Sequence, residues 1–149
     1  MIPNIIIAGA PKCGTTSIFD WLAEHPSICG SSVKETYFLM DEGHPFSYSE
    51  DNYHNKGISG YSSFFSNCDE SSSLLLEATP DYLYQKTALG VIGSLSKAPK
   101  VLFILRKPSD RVYSLFHFAR NNMSVIDKKI SFQYFLELVM SKDLEGIIH

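Results

Sequence analysis

The sequence predicts an α/β fold built on a central parallel sheet. Three short apolar runs stand at residues 5–8, 74–77 and 101–105, each is followed by a helical pattern, and a glycine-bounded loop joins the first run to its helix. Runs this continuous suit strands covered on both faces, as in a parallel sheet. Strands alternating with helices imply βαβ units and a three-layer arrangement with the sheet in the middle. With 149 residues, 44% of them hydrophobic and 19% charged, the chain can build one domain with a core of its own. A single domain over residues 1–149 is therefore expected.

The first helix is expected over residues 15–24, where Ile18, Trp21 and Leu22 recur at i, i+3 and i+4 and His25-Pro26 closes the pattern. Residues 29–73 are rich in Ser, Gly, Tyr and Phe, end in a serine cluster at 71–73, and offer only one short helix, near 58–65. So long an irregular stretch inside a compact domain is commonly functional, and it is read here as a substrate-side insertion. A helix over 84–95 follows the second strand. Another over 109–121 follows the third, with Val112, Leu115, Phe116 and Ala119 on one face and Pro108, Ser109 and Asp110 suited to its start. A last helix is expected over 132–140.

Bulk properties exclude several classes. A net charge of −3 gives no sign of a general nucleic-acid binder. No apolar run approaches the roughly 20 residues that span a bilayer, and the first residues carry no basic stretch, apolar stretch and cleavage site of a secretory signal. The three cysteines, Cys13, Cys29 and Cys68, are odd in number and lack metal-binding spacing. They are expected to be free thiols, which makes a cytoplasmic location the expectation.

The stretch "IIIAGAPKCGTTSIFDWL", residues 5–22, raises the chemical question. Gly9 and Gly14 have the G-x-x-x-x-G spacing of a phosphate-binding loop between strand and helix. Successive backbone N–H groups in such a loop form an anion nest, and the helix N-terminus adds partial positive charge. A nucleotide triphosphatase follows its second glycine with a lysine that reaches the β- and γ-phosphates, then a Ser or Thr on Mg²⁺. Here Thr15 holds the lysine's place, Thr16 keeps the second, and the one lysine, Lys12, has moved inside the loop. That pattern suits a single phosphate with a group leaving from it and no metal. A turn that merely caps a helix is the structural alternative.

"PKCGTTSI" resembles the 5′-phosphosulfate loop, P-K-x-G-T-[ST], of the sulfotransferases that use 3′-phosphoadenosine 5′-phosphosulfate. "VLFILRKPSDRVYSLFHFAR" is similar to their 3′-phosphate segment, with Arg106 at the strand end and Ser114 eight residues later. "VKETYFL" (33–39), "NYHNKGISGYSSFF" (52–65) and "LLLEATPDYLY" (74–84) look like the K-E-x-x-F, N-Y-H-K-G-x-x-x-Y-x-x-F-F and E-x-[ST]-P-x-Y segments of the glycan sulfotransferases, those acting on heparan sulfate and their bacterial relatives. The resemblance covers nearly the whole chain in order. It implies a P-loop-type fold whose family domain runs on beyond His149.

The resemblance also implies a reaction: in-line transfer of a sulfuryl group to a hydroxyl or amine, on a carbohydrate or a small molecule, with the adenosine phosphosulfate as donor and no metal required. Pro11, Lys12, Cys13, Gly14, Thr15, Thr16 and Ser17 are its expected 5′-side donor residues, and Arg106 and Ser114 its 3′-phosphate residues. Lys12 is the catalytic candidate for charge on the leaving group, and Glu35 for the general base. Lys34, His54, Glu77 and Thr79 are candidates on the acceptor side. His44 and His54 are rival bases, since some sulfotransferases use a histidine. Heparan-type enzymes often carry a lysine where Ala78 stands, so one cation is missing there. Two other readings stand beside this one: a nucleotide-binding fragment without turnover, and a P-loop kinase or triphosphatase, which lacks its lysine here.

Overall fold

The computed structural model describes residues 1–47, 50–69, 74–95 and 97–142, and the serine cluster at 71–73 lies outside them. The chain divides into two compact units, Met1–Leu105 and a second that begins at Arg106.

The first unit holds β1 (Ile5–Gly9), α1 (Thr15–Ala23), β2 (Ile28–Gly30), α2 (Tyr53–Lys56), a 3₁₀ helix Ile58–Phe65, β3 (Leu74–Ala78), a 3₁₀ helix Pro80–Tyr84, α3 (Lys86–Ser94) and β4 (Lys100–Phe103). The strands form one sheet in the order β2-β3-β1-β4. Every pair is parallel, with Ile5 opposite Leu76, Ile6 opposite Val101 and Ile28 opposite Leu74. The expected parallel α/β sheet is therefore present, with a fourth strand, β2, that sequence reasoning did not separate from the irregular stretch after it. A strand of three residues carries no readable alternation.

Period-two alternation sends the two faces of β1 and β3 into different cores. Ile7, Leu76 and Ala78 meet Phe19, Ile18 and Leu22 of α1. Ile6, Ala8 and Leu75 face the other way, into a cluster with Phe38, Leu39, Met40, Tyr61, Phe65 and Tyr82. The stretch 29–73 is thus more than an insertion: Phe38, Leu39, Met40, Tyr61 and Phe65 are all at or below 1% exposure. Phe38 and Tyr61 lie edge to face at 4.3 Å between ring centroids, a geometry aromatic quadrupoles favour. Trp21, expected on the packing face of α1, is instead 67% exposed; Ile18, Phe19 and Leu22 supply that face. β4 departs from the two-sided burial expected of it, for Val101, Leu102 and Phe103 are all exposed and the strand stands at the end of the sheet.

Cys29 and Cys68 are joined in a disulfide across 39 residues, with their Cα atoms 5.8 Å apart. This corrects the expectation of three free thiols; only Cys13 is free, and it is buried. The pairing is tertiary, between β2 and the turn after the first 3₁₀ helix, so no sequence spacing announced it. Loop-closure entropy over that span is worth roughly 4 kcal/mol in the chain-entropy account. The bond ties down the stretch that runs from β2 through residues 31–68.

The second unit contains α4 (Pro108–Asn121) and α5 (Phe132–Ser141). Pro108 at the first position of α4 loses no intrahelical bond, and the Ser131 side chain caps α5 by accepting from the Tyr134 amide at 3.2 Å. Phe116, Ile126 and Leu138 form the buried centre, with Ala119, Phe132 and Phe135 packed around them. Of the face expected on α4, Phe116 and Ala119 are used, while Val112 and Leu115 remain exposed.

Candidate active site

The loop after β1 is built by the backbone. The Ala10 amide donates to the Ile104 carbonyl at 2.9 Å and the Ile104 amide to the Gly9 carbonyl at 2.8 Å, so the loop springs from between paired strands. Gly9 admits close packing: a Cβ there would stand 3.1 Å from Leu83 Cβ and 3.2 Å from the Phe103 ring. Gly14, the residue before α1, has φ +88°, a conformation that favours glycine. It brings no side chain to cap the helix, which leaves the first amides of α1 without a side-chain cap. Thr15 is buried, whereas Thr16 and Ser17 are exposed beside Gly14. An anion at this place meets backbone donors and hydroxyls together.

Lys12 sits in the same loop with φ +66°. A residue other than glycine is uncommon in the left-handed region, and surrounding structure must hold it there. Glu35 (φ +64°) and Tyr37 (φ +52°) share this conformation. Their segment runs on from β2 along the end of β3, with the Ser31 amide donating to the Leu76 carbonyl at 2.9 Å and the Glu35 amide to the Ala78 carbonyl at 2.8 Å. Two strained segments therefore stand at the carboxyl ends of adjacent strands, where open α/β sheets put their ligands.

Glu35 is half-buried and well partnered. Lys34 Nζ donates to Oε1 at 2.5 Å and the Tyr37 hydroxyl to Oε2 at 2.6 Å. Burial alone pushes this carboxyl up; the hydrogen bonds from Lys34 and Tyr37 and the charges of Lys34 and Lys12 outweigh it and hold the group below the usual range. Lys12 and Glu35, singled out on separate motifs, are thus close enough to feel each other. Asp81 is half-buried nearby, its carboxyl pushed up by burial and then by the negative charge of Glu35. Tyr37 and Asp81 escaped sequence reasoning. Tyr37 stands two residues after Glu35, and an i, i+2 pair shares a side only in extended chain.

Glu77 and Thr79, expected on the acceptor side, are both fully buried. They act on the cleft only through what they hold. Thr36 and Thr79 hydroxyls donate to Glu77 Oε1 at 3.0 and 2.5 Å, while Oε2 has no hydrogen-bond partner. Burial pushes the Glu77 carboxyl up to about 7 from 4.5, against the pull of those hydroxyls and the Lys34 charge. A native value above the unfolded one gives a contribution that is fully present below pH 4.5 and lost as pH rises through about 7. Replacement Glu77→Gln removes that titration. Its stability relative to the parent is expected to rise by roughly 3 kcal/mol between pH 4.5 and 8, read by thermal melting at each pH; parallel stability curves for the two proteins would contradict this.

The histidines are otherwise engaged. His54 Nε2 stands 3.0 Å from the Met40 carbonyl, so that nitrogen carries the proton and donates. His44 Nδ1 accepts from the Phe46 amide at 3.2 Å. Arg106, exposed, and Ser114, half-buried on α4, belong to the second unit. Among the described residues no group of three or more His, Cys, Asp or Glu side chains can hold a metal ion, and no helix is long and apolar enough to cross a membrane.

The sulfotransferase domain family matches residues 3–146. The chain belongs to that family. Among relatives of this sulfotransferase domain is the human bifunctional heparan sulfate N-deacetylase/N-sulfotransferase 3, 32% identical over 132 residues, which cover 88% of this chain and 14% of the relative. The membrane-associated sulfotransferase kil1 of Dictyostelium discoideum is 30% identical over 120 residues, 79% of this chain and 23% of its own. The crystal structure of a sulfotransferase from Alicyclobacillus acidocaldarius superposes with a TM-score of 0.70 and 26% identity, over 99% of this chain and 60% of that one. The sulfotransferase chain described here thus spans less than two thirds of each.

Proposed function

We propose that the protein transfers a sulfuryl group from 3′-phosphoadenosine 5′-phosphosulfate to a hydroxyl or amine of a carbohydrate. The observation that carries this reading is the convergence of Lys12 and Glu35, each in left-handed backbone and each within electrostatic reach of the other. Loop amides, with Pro11, Cys13 and Gly14 shaping the loop and Thr15, Thr16 and Ser17 opening the helix, hold the 5′-phosphate. Lys12 stabilises negative charge developing on the leaving phosphate. Glu35, kept ionised by Lys34 and Tyr37, takes the proton of the attacking oxygen or nitrogen. The bond from sulfur to the bridging oxygen breaks as the new bond to sulfur forms, and adenosine 3′,5′-bisphosphate leaves. Lys34 and His54 stand on the acceptor side. The carbohydrate acceptor is supported by the name of the heparan sulfate relative, which matches this chain over 88% of its length.

On this reading Arg106 and Ser114 bind the 3′-phosphate of the donor, a role supported by the family match, which includes both residues. Arg106 offers a planar, permanently charged fork to the 3′-phosphate. Arg106→Ala is expected to weaken adenosine 3′,5′-bisphosphate about 100-fold, since a hydrogen-bonded charge pair is worth about 2–3 kcal/mol. The 3′-hydroxyl analogue should lose less than threefold; equal losses in calorimetric titration would remove Arg106 from that role.

The activity itself is tested by incubating the chain with the donor and a panel of unsulfated oligosaccharides. Sulfated product in mass spectrometry supports the proposal, and its absence at high protein concentration, with the bisphosphate still bound, favours a nucleotide-binding fragment. The cytoplasmic location rested on free thiols, whereas a Cys29–Cys68 bond suits an oxidising compartment. Thiol titration of the unfolded chain, trapped on isolation from its native source, decides between them: one thiol for the oxidising compartment, three for the cytoplasm.

A further inference from the structure

The segment that carries Glu35 is anchored by a buried chain of hydroxyls with a single direction. Tyr61 OH lies 3.2 Å from Tyr82 OH, Tyr82 OH lies 3.1 Å from Thr36 Oγ1, and Thr36 Oγ1 lies 3.0 Å from Glu77 Oε1. Two of these oxygens also accept from backbone: Tyr82 OH from the Leu39 amide at 3.2 Å, and Thr36 Oγ1 from the Phe38 amide at 3.3 Å. The Tyr37 amide points at Thr79 Oγ1 at 3.4 Å, and Thr79 donates in turn to Glu77 Oε1. Each hydroxyl has one proton to give. Every one of these hydroxyl protons has an acceptor when Tyr61 donates to Tyr82, Tyr82 to Thr36, and Thr36 and Thr79 to Glu77. Every donor chain then ends on one oxygen.

That oxygen belongs to a side chain with no exposure, near the carboxyl end of β3. A buried carboxylate is expensive to retain, and removing its share of a shared network leaves several polar groups without partners at once. The groups that face it are Tyr61 from the first 3₁₀ helix, Tyr82 from the second, and Lys34 from the segment after β2. Lys34 accepts nothing, and the two tyrosine hydroxyls are already committed within the chain itself. The amides of Tyr37, Phe38 and Leu39 therefore owe their partners to hydroxyls that Glu77 orients, and these amides begin two residues after Glu35.

We infer that Glu77 is a positioning residue: by collecting the hydroxyls of Thr36 and Thr79 on one buried oxygen, it fixes the left-handed turn at 35–37 and so aims Glu35. The inference rests on the proposed role of Glu35 as base, and its test separates the two. The 149-residue chain is compared with Glu77→Gln, which keeps an accepting Oε1, and Glu77→Ala, which removes it. In Glu77→Ala, amide hydrogen exchange at residues 37–39 is expected to quicken at least tenfold, with α1 and α5 unchanged. Turnover is expected to fall at least 100-fold with the KM for the donor within twofold, and Glu77→Gln is expected to recover most of both losses. Unchanged exchange at 37–39 in Glu77→Ala overturns the inference, as does a loss of protection spread evenly over the chain in both variants. If the parent transfers no sulfuryl group, the catalytic reading fails, while the exchange at 37–39 still decides the positioning role.

Discussion

Lys12→Ala is expected to lower turnover by about three powers of ten, equivalent to about 4 kcal/mol of transition-state stabilisation, while affinity for adenosine 3′,5′-bisphosphate falls by less than about tenfold. The asymmetry follows from what the lysine is proposed to do. On the proposed reading, ground-state binding of the nucleotide draws on loop amides, hydroxyls and Arg106 as well, so one ammonium is a fraction of it. Charge on the bridging oxygen appears only as sulfur departs, and an interaction made mainly then acts on kcat. The substitution is also well controlled. Lysine and alanine both carry a Cβ, so the left-handed backbone at φ +66° is no harder to hold in the variant. Single-turnover rates beside calorimetric titration check the split. A normal rate would exclude Lys12 from the chemistry, and matched losses in rate and affinity would make it a binding residue only.

Glu35→Gln is expected to reduce transfer by about 10²–10⁴-fold, the range of a positioned general base, with donor affinity unchanged. Glutamine has the shape of the parent: its oxygen still accepts from Lys34 while its Nε2 donates to the Tyr37 hydroxyl, so the fold of the turn is kept and the basicity is lost. In the parent, the Glu35 carboxyl lies below its ordinary 4.5. It is therefore ionised through the neutral range, and the acid limb of the rate should fall below that value. Stability follows the same sign: a depressed native value contributes above pH 4.5 and is lost as pH falls through it. Full activity in Glu35→Gln would transfer the base role to His44 or His54. Both are tied to backbone, at Phe46 and Met40 respectively, which is why neither is preferred.

The parts of this site legible in the sequence are those whose physics is local. The loop between β1 and α1 shows in its glycines, and the apolar runs of β1 and β3 show in their continuity, because each strand is covered on both faces. Helix bounds came within a residue for α4 and α5, where Pro108 and the residue before Phe132 mark the starts. The sequence pattern places the start of the second helix at 84, whereas a 3₁₀ helix, Pro80–Tyr84, comes first and α3 starts at Lys86; proline at the first position serves either form. What stayed hidden is what tertiary packing decides. β2 is too short to show a period, and the Cys29–Cys68 bond joins residues with no local relation. Trp21 fits the helical stripe by spacing yet points outward, since Phe19 fills the contact with the sheet. Glu77 was legible as a strand-end carboxylate, but nothing along the chain indicated that Thr36, 41 residues away, would meet it. Glu35 was drawn from a motif; the left-handed backbone that makes it unusual became visible only in three dimensions.

On the proposed reading, a phosphate loop with its lysine displaced to Lys12 serves a 3′-phosphorylated nucleotide without a metal. Its most direct test is calorimetric titration of the chain with adenosine 3′,5′-bisphosphate in the presence of a chelator, beside ADP and Mg²⁺-ATP. The bisphosphate is expected to bind best, at least about tenfold more tightly than ADP, with an affinity that chelator leaves unchanged. Tighter binding of Mg²⁺-ATP, abolished by chelator, would contradict it and return the loop to the kinase and triphosphatase class.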